Sequence, residues 1–477
     1  MKSLKLLIAL FTIPASFAQT FEQTSAIDVA DGLGNFHPQI ETLSDGTPAV
    51  IWTNSSDKSI YFAKHDGSSA FLPAIKLNPD GLNIQAYNWS GADLAIEGDN
   101  IYVIFRSEGY TTGNIFMVKS TDNGASFSDT VRVDQLTTGF GQYPDIAVYN
   151  DTIWTTFMDH DAGGADPQYV VSRSTDGGLT FETEVAVSTA WGAEACDCCQ
   201  PEIIANENKV VVFFRNNDAN TRDIKAVASL DRGATFSQTF SVDDHNWFIN
   251  SCPSTGPDAR FDSNGDVLAT YKTYVSGESR IYLQGYDIDA DMTTGGVQIE
   301  DVASSNAQIN YPQIDFKDGI MGIVWEAAGQ SIDVFINFSE TGIAGIDAAN
   351  AFNLTNASGA QNKPDIAVGD AYFHVVYADG LNLKYIQVTP LLSLAEETTP
   401  FVSTFPNPAS DKVIFEVPGA DQGFTVGLYD LNGKEVLVPT AATSNKLSLD
   451  VSGLPQGLYH YILSTNAKTY QGSLVIE

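Results

Sequence analysis

Three short segments of the chain share the pattern Ser-x-Asp-x-Gly-x-x-Phe: Ser120 to Phe127, Ser174 to Phe181 and Ser229 to Phe236. In each, the Ser and Asp side chains can satisfy the backbone of a turn, the Gly supplies a φ that other residues avoid, and the Phe tucks back into a core. The copies stand 54 and 55 residues apart. A regular period of that size means a repeat architecture.

The repeat extends beyond these turns. Seven segments align: His37-Pro38-Gln39-Ile40, Gly91-Ala92-Asp93-Leu94, Tyr143-Pro144-Asp145-Ile146, Gln200-Pro201-Glu202-Ile203, Gly256-Pro257-Asp258-Ala259, Tyr311-Pro312-Gln313-Ile314 and Lys363-Pro364-Asp365-Ile366. Each precedes a polar turn and a β-rich run such as Val210-Val211-Val212-Phe213-Phe214. A Pro is tolerated at the first residue of a strand, where no ladder donor is lost. The units are about 50 to 57 residues long, the size of a four-stranded propeller blade with its loops. The seventh ends near Val388, one strand short, and Ser25 to Ala30 could supply that strand and close the ring. Closure would remove exposed sheet edges. The expected fold is all-β: a seven-bladed β-propeller, or six blades if two units are misread, followed by a small β-sandwich.

The Ser-x-Asp-x-Gly-x-x-Phe segments resemble the Asp boxes, or BNR repeats, of sialidase-type β-propellers. That resemblance implies the fold and says little about activity, because the box is a structural turn.

The two ends carry addresses. Met1-Lys2-Ser3-Leu4-Lys5, the apolar run Leu6 to Ala15 and Ser16-Phe17-Ala18 form the charged, apolar and cleavage regions of a secretory signal peptide. No run is long enough to span a membrane as a helix. The last 75 residues open with Phe405-Pro406-Asn407-Pro408, carry an Asn432-Gly433 hairpin turn, and continue through Leu454-Pro455-Gln456-Gly457-Leu458-Tyr459 to a terminal strand ending at Glu477. This stretch resembles the C-terminal sorting domain of the type IX secretion system of Bacteroidetes. The resemblance implies export across the outer membrane, followed by release or surface attachment, with the secretion machinery as a partner. The expected parts are a signal peptide at 1–18, the propeller at 19–390, a linker at 391–402 and the sorting domain at 403–477.

The net charge of −35, from 24 basic and 59 acidic residues, argues against nucleic-acid binding, which needs a basic face. It also raises the question of structural calcium. Asp287, Asp289 and Asp291 alternate, but Met292 stands where a calcium loop needs Gly and Gln298 where it needs a bidentate Glu, so an EF-hand is rejected.

In sialidase-type propellers the Asp box lies on the face away from the pocket. The pocket face then receives the starts of the first strands and the ends of the second strands. The starts carry His37, Trp89, Tyr143, Gln200, Tyr311 and Lys363. The ends carry Thr53, Arg106, Met158 to Asp161, Arg215, Lys272, Glu326 and Ala378. The chain holds eight arginines, yet Arg106 and Arg215 stand at equivalent ends, with Lys272 at a third. Converging on one funnel, they would bind a carboxylate or sulfate. The alternative is local pairing, such as Arg106 with Glu108.

The sialidase family uses an arginine cluster, a Tyr nucleophile assisted by Glu, and an Asp acid/base. Tyr311, Glu326 and Asp159 supply similar types here, with Arg106, Arg215 and Lys272 as the cations. The family's Arg-Ile-Pro segment is absent, Phe36-His37-Pro38 stands in its place, and sialidases have six blades. Seven-bladed uronic-acid lyases are the other resemblance. A lyase needs a base for the proton α to a carboxylate and a cation for the developing charge; His37 or His160 with Tyr143 or Tyr311 could serve. The expected function is an exported propeller acting on acidic glycans as glycosidase or lyase, with a non-catalytic glycan- or protein-binding propeller as the alternative.

Cys196-Asp197-Cys198-Cys199 precedes the fourth unit and Cys252 the fifth. In an exported protein four cysteines most often form two disulfides, here with Cys252 bonded to one member of the cluster. The alternative is a thiolate site for a soft metal such as Cu(I) or Zn(II).

Overall fold

The computed structural model describes residues 20–391, other than 137, 162, 165, 166, 193, 302–307, 329, 330 and 371, and residues 402–477, other than 418–422, 431–433 and 466–468. The expected signal peptide, most of the expected linker and the Asn432-Gly433 turn lie outside the described residues. The chain divides into two compact units between residues 391 and 392.

The first unit is a ring of seven antiparallel sheets. Blades 1 to 6 span 35–76, 93–132, 140–186, 194–241, 258–298 and 308–353. Blade 7 takes its three inner strands from Gln361–Val368, Phe373–Asp379 and Asn382–Leu391. Its outer strand comes from the other end of the chain. Ile27–Ala30 pairs with the first part of Asn382–Leu391, as the sequence suggested, and Thr20–Gln23 pairs with the last part. The ring is therefore seven-bladed and closed.

Strand alternation explains the core. In Val210–Asn217 of blade 4, Val211 and Phe213 pack toward blade 5, whereas Val210, Val212 and Phe214 pack toward blade 3. Every sheet is apolar on both faces, which is why these strands read as continuous hydrophobic runs. The last apolar layer joins blade 7 to blade 1 through Val376, Tyr385, Ile40 and Val50.

The three Asp boxes join third to fourth strands. In the first, Ser120 Oγ accepts from Gly124 N at 2.9 Å and donates to Asp122 Oδ1 at 2.8 Å, and Asp122 accepts from Ser126 N. The same bonds recur around Asp176 and Asp231. These donors pull the three carboxyls down to about 2, the largest contribution coming from residue 126 or 180 in the first two boxes and from Thr235 N in the third. The box Gly has φ between +76° and +89° and touches the preceding blade: a Cβ on Gly233 would stand 2.6 Å from Trp154 Nε1. The turn thus locks one blade to the next.

The second unit is a sandwich. Ser403–Phe405, Lys412–Glu416 and Lys446–Asp450 form one sheet; Glu435–Ala442, Phe424–Tyr429, Gly457–Ser464 and Thr469–Ile476 form the other. Val413, Phe415, Leu428, Leu463 and Leu474 fill the space between them.

Candidate functional site

An antiparallel blade places the starts of first strands and the ends of second strands on one face, and the Asp boxes on the other. On the first face, His37, Tyr143, Tyr311 and Lys363 stand directly before a Pro with φ of +51°, +52°, +49° and +51°. Each sits where the pairing of the first strand slips, between Phe36 and Gln39, Gln142 and Asp145, Asn310 and Gln313, and Asn362 and Asp365. A positive φ strains any residue with a Cβ, at about 1–3 kcal/mol. The closed ring holds the same strain at four equivalent bulges. His37, Trp89, Gln200, Tyr311 and Lys363 all line one funnel, which narrows to a cavity of about 50 Å³.

Tyr311, Glu326, Lys272 and Lys363 come together on this face. Lys363 Nζ lies 3.1 Å from the centroid of the Tyr311 ring. Its backbone N–H donates to Glu326 Oε2 at 2.9 Å. Burial lowers both lysines to about 8; for Lys272 the charge of Arg215 adds, and for both the carboxylate of Glu326 opposes. Burial raises the Glu326 carboxyl, while Lys363 and Lys272 hold it back. Burial, then Glu326, pushes the Tyr311 phenol up, so it keeps its proton at neutral pH. Burial lowers His37 to about 4, with Lys363 adding and Asp93 opposing, so its ring is neutral. His37 Nδ1 and Gln200 Oε1 are buried without a protein partner. On the other flank Tyr87 stacks on Trp89 at 4.9 Å and tilts against Tyr143 at 6.1 Å, forming an aromatic wall.

Backbone carbonyls take up all three nitrogens of Arg215 and two of Arg106, whose Nη1 is buried without a partner. Arg215 donates through Nε, Nη1 and Nη2 to the carbonyls of Thr255, Arg222 and Lys272, at 3.2, 2.6 and 2.9 Å, and lies over Trp247. Arg106 donates to the carbonyls of Gly141, Gly109 and Tyr110. Glu108, the local partner suggested for Arg106, pairs with Lys58 and Asn83 instead. Asp159 is raised to about 6 by burial and by the carboxylates of Glu184, Asp134 and Asp161, which makes its charged neighbours different from those of Tyr311. His160 stacks on Phe140 at 4.6 Å, is lowered chiefly by burial, and has both ring nitrogens buried without a partner.

Below the lead residues, two positions along each first strand, the channel turns acidic. Gln39, Asp93, Asp145, Glu202 and Gln313 line both the funnel cavity and a second cavity of about 360 Å³ beneath it. Asp145 accepts from Ile203 N, Asp258 from Ile314 N and Asp365 from Ile40 N, at 2.6, 2.6 and 2.7 Å, so each carboxylate fastens its blade to the next. Arg260 reaches across the channel to Asp258 at 3.0 Å, Glu202 at 3.1 Å, Asp315 at 3.3 Å and Glu41 at 3.7 Å. One guanidinium serves four blades. Sequence reasoning missed Arg260 and the aromatic wall. The acidic third position of the aligned starts was visible, but its partners were not.

The cysteine cluster lies on the same face, beside the funnel. Cys198 is bridged to Cys252. Cys196 and Cys199 are free and buried, with their sulfurs 3.3 Å apart. Arg222 Nη1 donates to Cys196 Sγ at 2.8 Å. The Cys196 thiol is lowered to about 7 by its bond with Cys199, and further by Arg222 and Arg215, against burial; burial raises that of Cys199. Among the described residues, the metal-ligand types that converge within 4.8 Å are Cys196 with Cys198 and Cys199, and Asp197 with Cys198 and Cys252. The alternating aspartates serve a turn: Asp289 pairs with Lys209, Asp291 accepts from Tyr286 and Gln238, and Asp287 accepts from Ala290 N.

Residues 403–477 match the family described as the Secretion system C-terminal sorting domain. The chain is accordingly a substrate of type IX secretion, destined for the cell surface or the medium. No helix among the described residues is long and apolar enough to cross a membrane. No curated protein matches the chain. Among solved structures, a protein of unknown function from Dyadobacter fermentans matches 79% of this chain and 100% of its own at 12% identity, with a TM-score of 0.47. An ulvan lyase bound to a glucuronate–sulfated rhamnose ligand matches 76% of this chain and 95% of its own at 10% identity, TM-score 0.48. The sialidase of Trypanosoma rangeli, with the inhibitor DANA, matches 96% and 89% at 12% identity, TM-score 0.44.

Proposed function

We propose that this exported propeller binds an acidic polysaccharide in the funnel and cleaves it by β-elimination, as a uronic-acid lyase. The observation that carries the reading is the pair of half-buried lysines, Lys272 and Lys363, flanking Glu326 beside a protonated Tyr311 and a neutral His37. The lysines bind the sugar carboxylate and stabilise the charge that develops when the proton α to it is removed. His37, uncharged and with an unpartnered ring nitrogen, accepts that proton. Tyr311 gives its proton to the leaving glycosidic oxygen. Tyr87 and Trp89 offer a flat apolar surface for a neighbouring sugar. The floor cavity of about 50 Å³ is too small for a sugar ring, so the substrate lies above it with its carboxylate pointing down.

A hydrolytic reading with Tyr311 as nucleophile is weaker, because burial and Glu326 both hold the phenol protonated. A binding-only reading has one observation in its favour: Glu326 spends one oxygen on the Lys363 backbone rather than on a catalytic partner. Incubation of the full chain with uronic-acid polysaccharides separates the three. Ultraviolet absorbance from an unsaturated product is expected, and Lys363→Met, Lys272→Met and Tyr311→Phe should each abolish most of it. Saturated reducing ends would indicate a hydrolase. Calorimetric binding without products would indicate a binding module, and no binding by any acidic glycan would overturn the anion-site reading.

A further inference from the structure

The four cysteines are graded from surface to core. Cys252 is exposed, Cys198 is 7% exposed, and Cys196 and Cys199 are fully buried. Cys196 Sγ stands 3.5 Å from Cys198 Sγ, one half of the bridge, and 3.3 Å from Cys199 Sγ on its other side. Cys196 and Cys199 also have the Cys-x-x-Cys spacing of dithiols that cycle between reduced and oxidised forms. The Arg222 guanidinium bonded to Cys196 Sγ favours the thiolate, the form that attacks disulfides. Tyr169 Oη donates to the carbonyls of Cys199 and Cys196, which fixes the loop that carries them.

We propose that these residues form a thiol–disulfide relay in which the bridge moves between the exposed Cys198–Cys252 position and the buried Cys196–Cys199 position. In the first step the Cys196 thiolate attacks Cys198 Sγ. The Cys196–Cys198 bond forms, the Cys198–Cys252 bond breaks, and its electron pair leaves on Cys252, which takes up a proton. In the second step the Cys199 thiolate attacks Cys196 Sγ and the electron pair leaves on Cys198. The two protons given up by Cys196 and Cys199 match those gained by Cys252 and Cys198, so the exchange needs no oxidant or reductant. Its products are a free thiol at the protein surface and the release of the tie between the loops that precede blades 4 and 5.

Burial restricts Cys196 to this one disulfide, because no external partner can reach it. The exposed Cys252 is the contact with the outside. An external disulfide could take up its thiol, and an external thiol could return the bridge to its starting position, each by ordinary exchange.

The test is alkylation of the folded full chain with iodoacetamide, without reductant and without oxygen, followed by peptide mass mapping. Cys252 should become labelled while a new bridge joins Cys196 to Cys199. In Cys196→Ser, labelling of Cys252 should slow at least tenfold. In Cys199→Ser, the bridge should stop at Cys196–Cys198, which reports the first step alone. Labelling of Cys252 at equal rates in wild type and Cys196→Ser would overturn the relay. So would an unlabelled Cys252 in wild type, or recovery of Cys196 and Cys199 holding one equivalent of a soft metal.

Discussion

Two rings of side chains line the channel on the same first strands, two residues apart. The upper ring, directly before the prolines, is varied: His37, Tyr143, Gln200, Gly256, Tyr311 and Lys363 include an imidazole, two phenols, an amide, a glycine and an ammonium. The lower ring is uniform: Gln39, Asp93, Asp145, Glu202, Asp258, Gln313 and Asp365 are all carboxylates or their amides. Uniformity goes with a scaffold job: Asp145, Asp258 and Asp365 each take a backbone N–H from the next blade. Variety goes with a place where no such job exists and the side chain is free to address a ligand. Within one chain, repeats thus separate scaffold from site without any second sequence.

Their electrostatics are opposed as well. Above, two lysines flank one carboxylate and are lowered to about 8 by burial. Below, seven acids (Glu41, Asp93, Asp145, Glu202, Asp258, Asp315 and Asp365) crowd together, four of them paired with Arg260, and burial raises Glu41 and Asp365 to about 8. The largest expected effect comes from removing that arginine. Arg260→Leu leaves four carboxylates without their partner and should cost about 3–5 kcal/mol, toward the lower figure because channel water reaches 27% of the side chain. Urea denaturation checks it. The loss should shrink at pH 5, where the acids hold protons; an unchanged midpoint at pH 8 would show that water, not Arg260, balances the lower ring.

The upper ring breaks differently. Lys363→Met should weaken binding of an acidic polysaccharide by about 10- to 100-fold, the size of a lost hydrogen bond to a charged group, and should not lower the denaturation midpoint at neutral pH, because burial makes the Lys363 charge costly there. Calorimetry and urea titration on the same variant give both numbers. A variant that lost stability and kept affinity would reverse the assignment of the two rings.

Stability against pH sharpens the contrast further. Glu41 and Asp365 titrate near 8 in the folded state and near 4 when unfolded, so between those values the folded state binds more protons. Their contribution is present at low pH and is lost as pH rises toward 8. Lys272 and Lys363 titrate near 8 folded and near 10.5 unfolded, so there the folded state binds fewer protons, and stability is regained as pH rises from about 8 to 10.5. Thermal melts should fall and then recover across these windows. The Lys272→Met, Lys363→Met double variant should keep the fall and lose the recovery.

Much of this was legible before any coordinates. The Asp boxes were, because Ser, Asp, Gly and Phe satisfy one another within eight positions. So was the blade count, because each first strand begins with a similar four-residue signature. Part of the site was legible for the same reason: counting strands placed Tyr311, Glu326 and Lys272 on one face. What was not legible was the set of partners. Arg106 and Arg215 donate to backbone carbonyls, which every residue carries and no sequence advertises. Arg260 sits in an ordinary strand, and its four partners come from stretches as far apart as Glu41 and Asp315. Only closure of the ring brings them together.

The smallest predicted effect bears most directly on what the lower ring is for. If its acids act as charges, replacing one by its amide should cost stability. If they act as acceptors, the amide should serve as well, since Oδ1 of Asn can receive the same N–H. Gln39 and Gln313 already occupy two of the seven places. Asp365 accepts from Ile40 N in blade 1 and stands among Asp258 and other acids that make its charge unfavourable. Asp365→Asn should therefore stay within about 0.5 kcal/mol of wild type, on the stabilised side at pH 8, where a like charge has been removed. Asp365→Ala, which leaves the Ile40 N–H buried without an acceptor, should cost about 1–3 kcal/mol. Denaturation midpoints of the two variants at pH 5 and pH 8 decide the matter. Equal losses for Asn and Ala would make the ring an electrostatic device, held for its charge. The expected split makes Asp365, like Asp145 and Asp258, an acceptor that fastens one blade to the next, with the acidity tolerated because Arg260 and retained protons absorb it.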